Sequence, residues 1–154
     1  MIIPPGTTAL DAPTDRKSER VLNILLVEDD EIDVMNVRRA FDRGRITNQL
    51  YVARNGLEAL EMLRGALVPR DRRLILLDLN MPRMNGIEFL RELRADRALH
   101  ATPVVILTTS AHERDKVDAY DLNVAGYLVK PVTFAKFIEV MKAMNTYWGL
   151  VELP

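Results

Sequence analysis

Carboxylates stand at two places in the chain where a phosphoryl group or a hard cation could be handled. Glu28-Asp29-Asp30-Glu31 closes one apolar run, and Asp78 closes another, Leu74-Ile75-Leu76-Leu77. Thr108 and Lys130 each follow a short apolar run of their own. A hydroxyl can hydrogen-bond a phosphoryl oxygen, and an ammonium can neutralise it. A carboxylate held beside a cation and those two donors is a nucleophile for phosphoryl transfer. Hard oxygen ligands with no cysteine and no neighbouring histidine suit Mg2+. Each residue also has a plainer role. Asp78 can cap the turn in Asp78-Leu79-Asn80-Met81-Pro82. Asp30 and Glu31 suit the cap and the positive end of a helix dipole. Lysines are mostly solvated surface residues. What separates the two readings is convergence in space. His100 and His112 fall in a loop and at a helix start, outside this set.

Convergence depends on the elements that carry these residues. Short apolar runs without alternation fit strands buried on both faces. Such runs cover 21–27, 49–53, 74–78, 103–107 and 126–129. Between them apolar residues recur at helical spacing. A first helix is expected over roughly 31–42, with Gly44 as its stop. A second carries Leu57, Leu60 and Leu63 and ends near Gly65, and a third opens at Gly86 with Ile87, Leu90 and Leu93 on one face. Two more are expected over roughly 111–122 and 133–147, while 68–73, with Pro69, reads as a charged loop. Strands alternating with helices stack as βαβ units around a parallel sheet, with helices on both faces. The expected fold is therefore α/β, a doubly wound parallel sheet. In such sheets the carboxyl ends of the strands line the ligand crevice. Glu28, Asp29, Asp78, Thr108 and Lys130 all fall there.

Composition narrows the classes. At 154 residues, 48% hydrophobic and 28% charged, the chain reads as one soluble globular domain. A net charge of −1 gives no pull toward nucleic acid or an anionic membrane. The absence of cysteine excludes disulfides, thiolate metal sites and cysteine nucleophiles. No apolar stretch approaches the ~18 residues of a membrane span, and no signal peptide is visible, so a cytoplasmic location is expected. Residues 1–19, with Pro4, Pro5, Gly6 and Pro13, read as a flexible tail, 20–148 as the domain, and 149–154 as a short C-terminal tail. No second domain is expected.

The set Glu28-Asp29, Asp78, Thr108 and Lys130-Pro131 resembles the receiver domain of two-component response regulators, over about residues 21–148. The resemblance implies a flavodoxin-like fold with strand order 2-1-3-4-5. It implies that Asp78 accepts a phosphoryl group from a histidine kinase. Glu28, Asp29 and Asp78 would hold Mg2+, joined by the backbone carbonyl of Asn80. Thr108 and Tyr127 would form the switch, Lys130 would contact the phosphoryl group, and the Lys130-Pro131 bond would be cis. Thr109 stands where many members have alanine, with a larger side chain beside the phosphate. No activity is implied beyond self-phosphorylation and self-dephosphorylation. A closer similarity, to the small regulators that partner bacterial phytochromes, rests on 76–82, Asp121-Leu122-Asn123-Val124 and the ending from Tyr147-Trp148 to Leu153-Pro154.

Other classes fit less well. A small Mg2+-dependent aspartyl-phosphate phosphatase would want a second acid where Asn80 stands. A flavodoxin-type cofactor carrier would want a phosphate-binding loop where Glu28-Asp29-Asp30-Glu31 stands. A receiver-like scaffold that is never phosphorylated has no use for the complete pocket. With no output domain on the chain, the signal is expected to leave by protein contact. A homodimer is expected through the face made by the fourth helix, fifth strand and fifth helix. There Phe134, Phe137, Ile138, Met141, Met144 and Trp148 cover the sheet, and Val140, Ala143 and Tyr147 widen the apolar arc beyond what a surface helix needs. Val117 and Tyr120 are expected to add to that patch.

Overall fold

Side chains alternate across a strand, so each strand of a sheet covered on both faces feeds two separate cores. The computed structural model describes residues 22–79, 81, 84–108, 117–118, 121–129, 135, 138–139, 142–143 and 146. Its strands are β1 (Asn23–Val27), β2 (Gln49–Ala53), β3 (Arg73–Asp78), β4 (Val104–Thr108) and β5 (Gly126–Val129). They pair in parallel in the order β2-β1-β3-β4-β5, the doubly wound, flavodoxin-like arrangement. The helices are α1 (Glu31–Arg43), α2 (Gly56–Arg64) and α3 (Gly86–Ala95). Leu25, Val27, Ile75, Leu77 and Ile106 pack with Leu60 and Leu63 of α2 and Phe89, Leu90 and Leu93 of α3. The alternate residues Ile24, Leu26, Leu74, Leu76 and Leu107 pack with Val34, Val37 and Phe41 of α1. Strand β3 is buried along its whole length. Each fully buried Leu or Ile there contributes roughly 1.5–3 kcal/mol.

Short polar side chains start each helix by accepting the first free N–H groups. Asp30 accepts from Ile32 and Asp33 at α1, and Asn55 from Glu58 at α2. Asn85 and Glu88 form a reciprocal capping box at α3. The first two helices stop at the expected glycines, Gly44 and Gly65, but not through left-handed glycine backbone. Gly44 and Gly65 keep right-handed backbone, with φ of −78° and −82°. The residues after them turn left-handed instead, Arg45 at φ 51° and Ala66 at φ 60°. At position 44 glycine answers to space: a Cβ would lie 2.9 Å from the Ala40 carbonyl oxygen and 3.3 Å from Ile138 Cγ2.

Other boundaries shift for local reasons. Leu22 precedes β1, because its N–H goes to Asn48 Oδ1 at 3.0 Å rather than to the ladder. Strand β4 begins after Pro103, which has no N–H, and includes Thr108. Arg73 belongs to β3 and is buried, although 68–73 reads as a charged loop. Val117 is also a correction. It lies in the core with 1% exposure and cannot belong to a dimer patch. Ala135, Ile138, Glu139, Lys142, Ala143 and Thr146 are helical, as expected for the fifth helix, while the rest of that patch lies outside the described residues.

Candidate functional site

The register brings the ends of neighbouring strands to one level. Val27 pairs with both Ala53 and Leu77, Asp78 pairs with Leu107, and Thr108 pairs with Val129. The residues that follow or close these strands therefore meet at the carboxyl edge of the sheet. Glu28 leaves β1 with its N–H on the Ala53 carbonyl at 3.0 Å. Its Oε1 accepts the Asp30 N–H at 3.2 Å, which bends the chain toward α1 and carries Asp29 into the crevice.

Glu28, Asp29 and Asp78 each place a carboxylate oxygen within 4.8 Å of the other two. Among the described residues no other group of His, Cys, Asp or Glu comes together in this way. Glu28 and Asp78 are buried, at 1% and 7% exposure. Two unit charges at such a separation repel by roughly 3 kcal/mol at an effective dielectric of about 20. Three of them make an arrangement that a divalent cation would relieve. The spacing fits such a cation, since oxygens at roughly 2.0–2.6 Å from a central ion lie about 4–5 Å apart across it. The positive ends of α1, α2 and α3 face the same edge and offset part of the repulsion.

The other two acids of the run have different work. Asp30 Oδ1 accepts from the Ile32 N–H at 2.8 Å and the Asp33 N–H at 3.3 Å, so it is a cap, as its position suggests. Glu31 Oε1 pairs with Arg54 Nη1 at 2.6 Å, on the rim and largely in solvent.

Leu79, directly after Asp78, is tightly seated against the start of α3. The Gly86 N–H bonds the Leu79 carbonyl at 3.0 Å, and a Cβ on Gly86 would lie 2.5 Å from Leu79 Cα and 3.0 Å from the Asp78 carbonyl oxygen. Gly56 is crowded in the same way by Met84, whose Cγ would be 2.8 Å from an added Cβ. Glycines at the starts of α2 and α3 thus let Met84 approach α2, and let Leu79 and the Asp78 carbonyl approach α3.

Of the remaining expected site residues, Thr108 closes β4 beside the strand of Asp78. Tyr127 lies on β5, packs its ring against the core on the α2 and α3 side, and donates its hydroxyl to Asp118 Oδ1 at 2.9 Å. Asn80, Thr109, Lys130 and Pro131 lie outside the described residues. The Asp118 contact and the Arg54–Glu31 pair are not foreseen in the sequence. Only an acid on the last turn before Asp121-Leu122-Asn123 hints at the former. His100 lies in a turn away from the cluster, as expected, and His112 lies outside the described residues. No helix among the described residues is long and apolar enough to cross a membrane.

Many known proteins are similar to this chain. The family model for the response regulator receiver domain matches residues 24–142. The probable methanogenesis regulatory protein FilR2 of Methanothrix harundinacea is 36% identical over 144 residues, covering 90% of this chain and 91% of the relative. Response regulator Rcp1 of Synechocystis is 36% identical over 135 residues, covering 85% of this chain and 92% of Rcp1. Among solved structures, the phosphorylated cyanobacterial phytochrome response regulator RcpA superposes with a TM-score of 0.72 at 34% identity, over 87% of this chain and 99% of that one. The Mn2+-bound form of Rcp1 superposes with a TM-score of 0.67 at 36% identity, over 85% and 97% of the two chains.

Proposed function

We propose, from the premise that the chain belongs to the response regulator receiver-domain family, that Asp78 is its phosphoacceptor and that Mg2+ assists there. The observation that carries this reading is the meeting of Glu28, Asp29 and Asp78 at the carboxyl edge of the sheet. Glu28, Asp29, Asp78 and the carbonyl of Asn80 would hold the cation, and Mn2+ in the Rcp1 structure supports a divalent ion. When bound, the ion supplies positive charge against the phosphoryl oxygens and the neighbouring carboxylates.

A carboxylate oxygen of Asp78 attacks the phosphorus of a phosphohistidine on a sensor kinase. The new O–P bond forms as the N–P bond breaks, and the imidazole leaves with the electron pair and takes a proton from solvent. Burial of Asp78 excludes most water from this step. Thr108 closes β4 in register with Val129, the residue that precedes Lys130 in the sequence. In this reading Lys130 pairs with one phosphoryl oxygen and Thr108 donates to another. Water later cleaves the acyl phosphate and restores Asp78. The chain catalyses only these two reactions on itself.

The kinase is of the phytochrome-linked class, a reading supported by the likeness to RcpA and Rcp1. The domain spans 20–148, flanked by tails at 1–19 and 149–154. It works in the cytoplasm without nucleic acid, and it passes its signal by protein contact as a homodimer through the face of the fourth helix, β5 and the fifth helix. Exposed Val129, at 56%, on β5 supports that face. Tyr127 and Thr108 act as the switch. The test is transfer of labelled phosphate from a phytochrome-linked histidine kinase in Mg2+. Label should appear on the wild-type chain and be absent from Asp78→Asn. Undiminished label on that variant would refute the assignment.

A further inference from the structure

The switch tyrosine is held by a residue that takes no part in the acidic cluster. Tyr127 Oη donates to Asp118 Oδ1 at 2.9 Å. Tyr127 is in register with Ile106, two positions before Thr108, and β5 is tied to β4 by its ladder and by the Ala125 N–H on the Val104 carbonyl at 2.7 Å. Asp118 sits on the opposite partner. It belongs to a helical turn whose other described residue, Val117, is buried while Asp118 is exposed.

The chain behind Asp118 is fixed. Asp121 and Asn123 both take left-handed backbone, at φ 52° and 48°. Such backbone persists only where its surroundings determine it. Arg94 of α3 supplies that determination. Its Nε donates to the Leu122 carbonyl at 2.9 Å and its Nη2 to the Asn123 carbonyl at 2.7 Å. Its Nη1 donates to the carbonyls of His100 and Thr102, each at 2.8 Å. One guanidinium thus rivets the start of the β5 approach to α3 and to the β4 approach. The turn carrying Asp118 stands on that fixed post, with the Asp121 N–H on the Asp118 carbonyl at 3.0 Å. The phenol–carboxylate bond joins the post to a ring that can rotate about its own side-chain torsions without disturbing the sheet.

The geometry points to Asp118 as a positioning residue that holds Tyr127 in the rotamer seen here, against a turn of the ring when Asp78 takes its ligand. This rests on Tyr127 being the switch aromatic, as proposed above. Asp118 then opposes activation. A ligand at Asp78 that favours the other rotamer must break the bond, and its apparent affinity is lowered by the fraction of chains still latched. An ordinary surface contact between a phenol and a carboxylate would have no such effect at a site on another strand.

The test titrates the full chain with beryllofluoride in Mg2+, read by fluorine NMR. Asp118→Ala should bind about fivefold more tightly than wild type, the scale of one partly exposed hydrogen bond to a charged group. Asp118→Asn, which keeps an acceptor, should fall between them. On a Tyr127→Phe background, which has no hydroxyl to latch, Asp118→Ala should change nothing. Equal or weaker binding by Asp118→Ala overturns the proposal, as does the same gain on the Tyr127→Phe background. A wild type that binds no beryllofluoride overturns the phosphoacceptor reading of Asp78, and the latch with it.

Discussion

Strand β3 carries a buried charge at each end, and the two ends are treated in opposite ways. At its start Arg73 is 6% exposed. Its Nε donates to the Pro69 carbonyl at 2.9 Å, and its Nη2 to the carbonyls of Leu63 at 3.0 Å and Val68 at 2.6 Å. Burial, and then the charge of Arg70, lowers the guanidinium's pKa from its ordinary value. Carbonyl dipoles surround the cation, so a charge in the interior becomes a clasp for the 63–69 turn. At the other end Asp78 is 7% exposed and meets two more carboxylates. That end sets acid beside acid. The contrast is between a buried charge ringed by carbonyl dipoles, which clasps a turn, and one set beside two further carboxylates, whose mutual repulsion a divalent cation would relieve.

Removing each charge should therefore have opposite consequences. Asp78→Asn should lose all phosphoryl labelling and, without divalent cation, should raise stability by about 1 kcal/mol as the repulsion falls. Urea midpoints in chelator check this, and a lowered midpoint would break the contrast. Arg73→Met should do the reverse. It leaves the carbonyls of Leu63, Val68 and Pro69 without their donor and should cost about 3 kcal/mol. Beryllofluoride affinity at Asp78 should stay within about twofold of wild type for the chains that remain folded. A large loss of affinity would mean that the two ends are coupled along β3.

Between these extremes lies Gly86→Ala. The added Cβ would press on Leu79 Cα and the Asp78 carbonyl, and overpacking of this kind costs about 1–3 kcal/mol. This variant should lower both stability and labelling rate, since it displaces the end of β3 itself. Loss of stability alone would show that the loop can shift without moving Asp78.

The smallest effect belongs to an exposed pair. Asp96 accepts from Arg64 Nε at 3.0 Å. That hydrogen bond, followed by the Ala98 N–H, holds its carboxyl below the ordinary 3.8. A depressed carboxylate stabilises the fold above its unfolded pKa, and the contribution disappears as pH falls through the lower folded value. Arg64→Gln should slightly lower the thermal midpoint at neutral pH and match wild type in strong acid. An equal gap at both ends of the pH range would trace the effect to packing.

Much of this was legible beforehand because apolar runs mark strands directly. Strands β2 and β5 span the expected residues, and Glu28, Asp29 and Asp78 stand out in the sequence as acids that close or follow a buried run. Arg73 was not legible. Local sequence presents it as one of several charges in a loop, while its partners are carbonyls on a turn that only the fold assembles. Val117 misled for the converse reason. Helical spacing places it on an apolar stripe without saying which side of the helix the sheet will cover. Gly44 and Gly65 marked the right places for helix ends but not the conformation, which the following Arg45 and Ala66 take instead.

The central claim is that Asp78 is the residue that carries the phosphoryl group. Incubation of the full chain with acetyl phosphate in Mg2+, borohydride reduction of the acyl phosphate and peptide mass mapping locate the modified carboxylate directly. The account predicts a single reduced residue, Asp78, present with Mg2+ and absent with chelator. Reduction at Glu28, Asp29 or a carboxylate outside the cluster, with Asp78 intact, would contradict it.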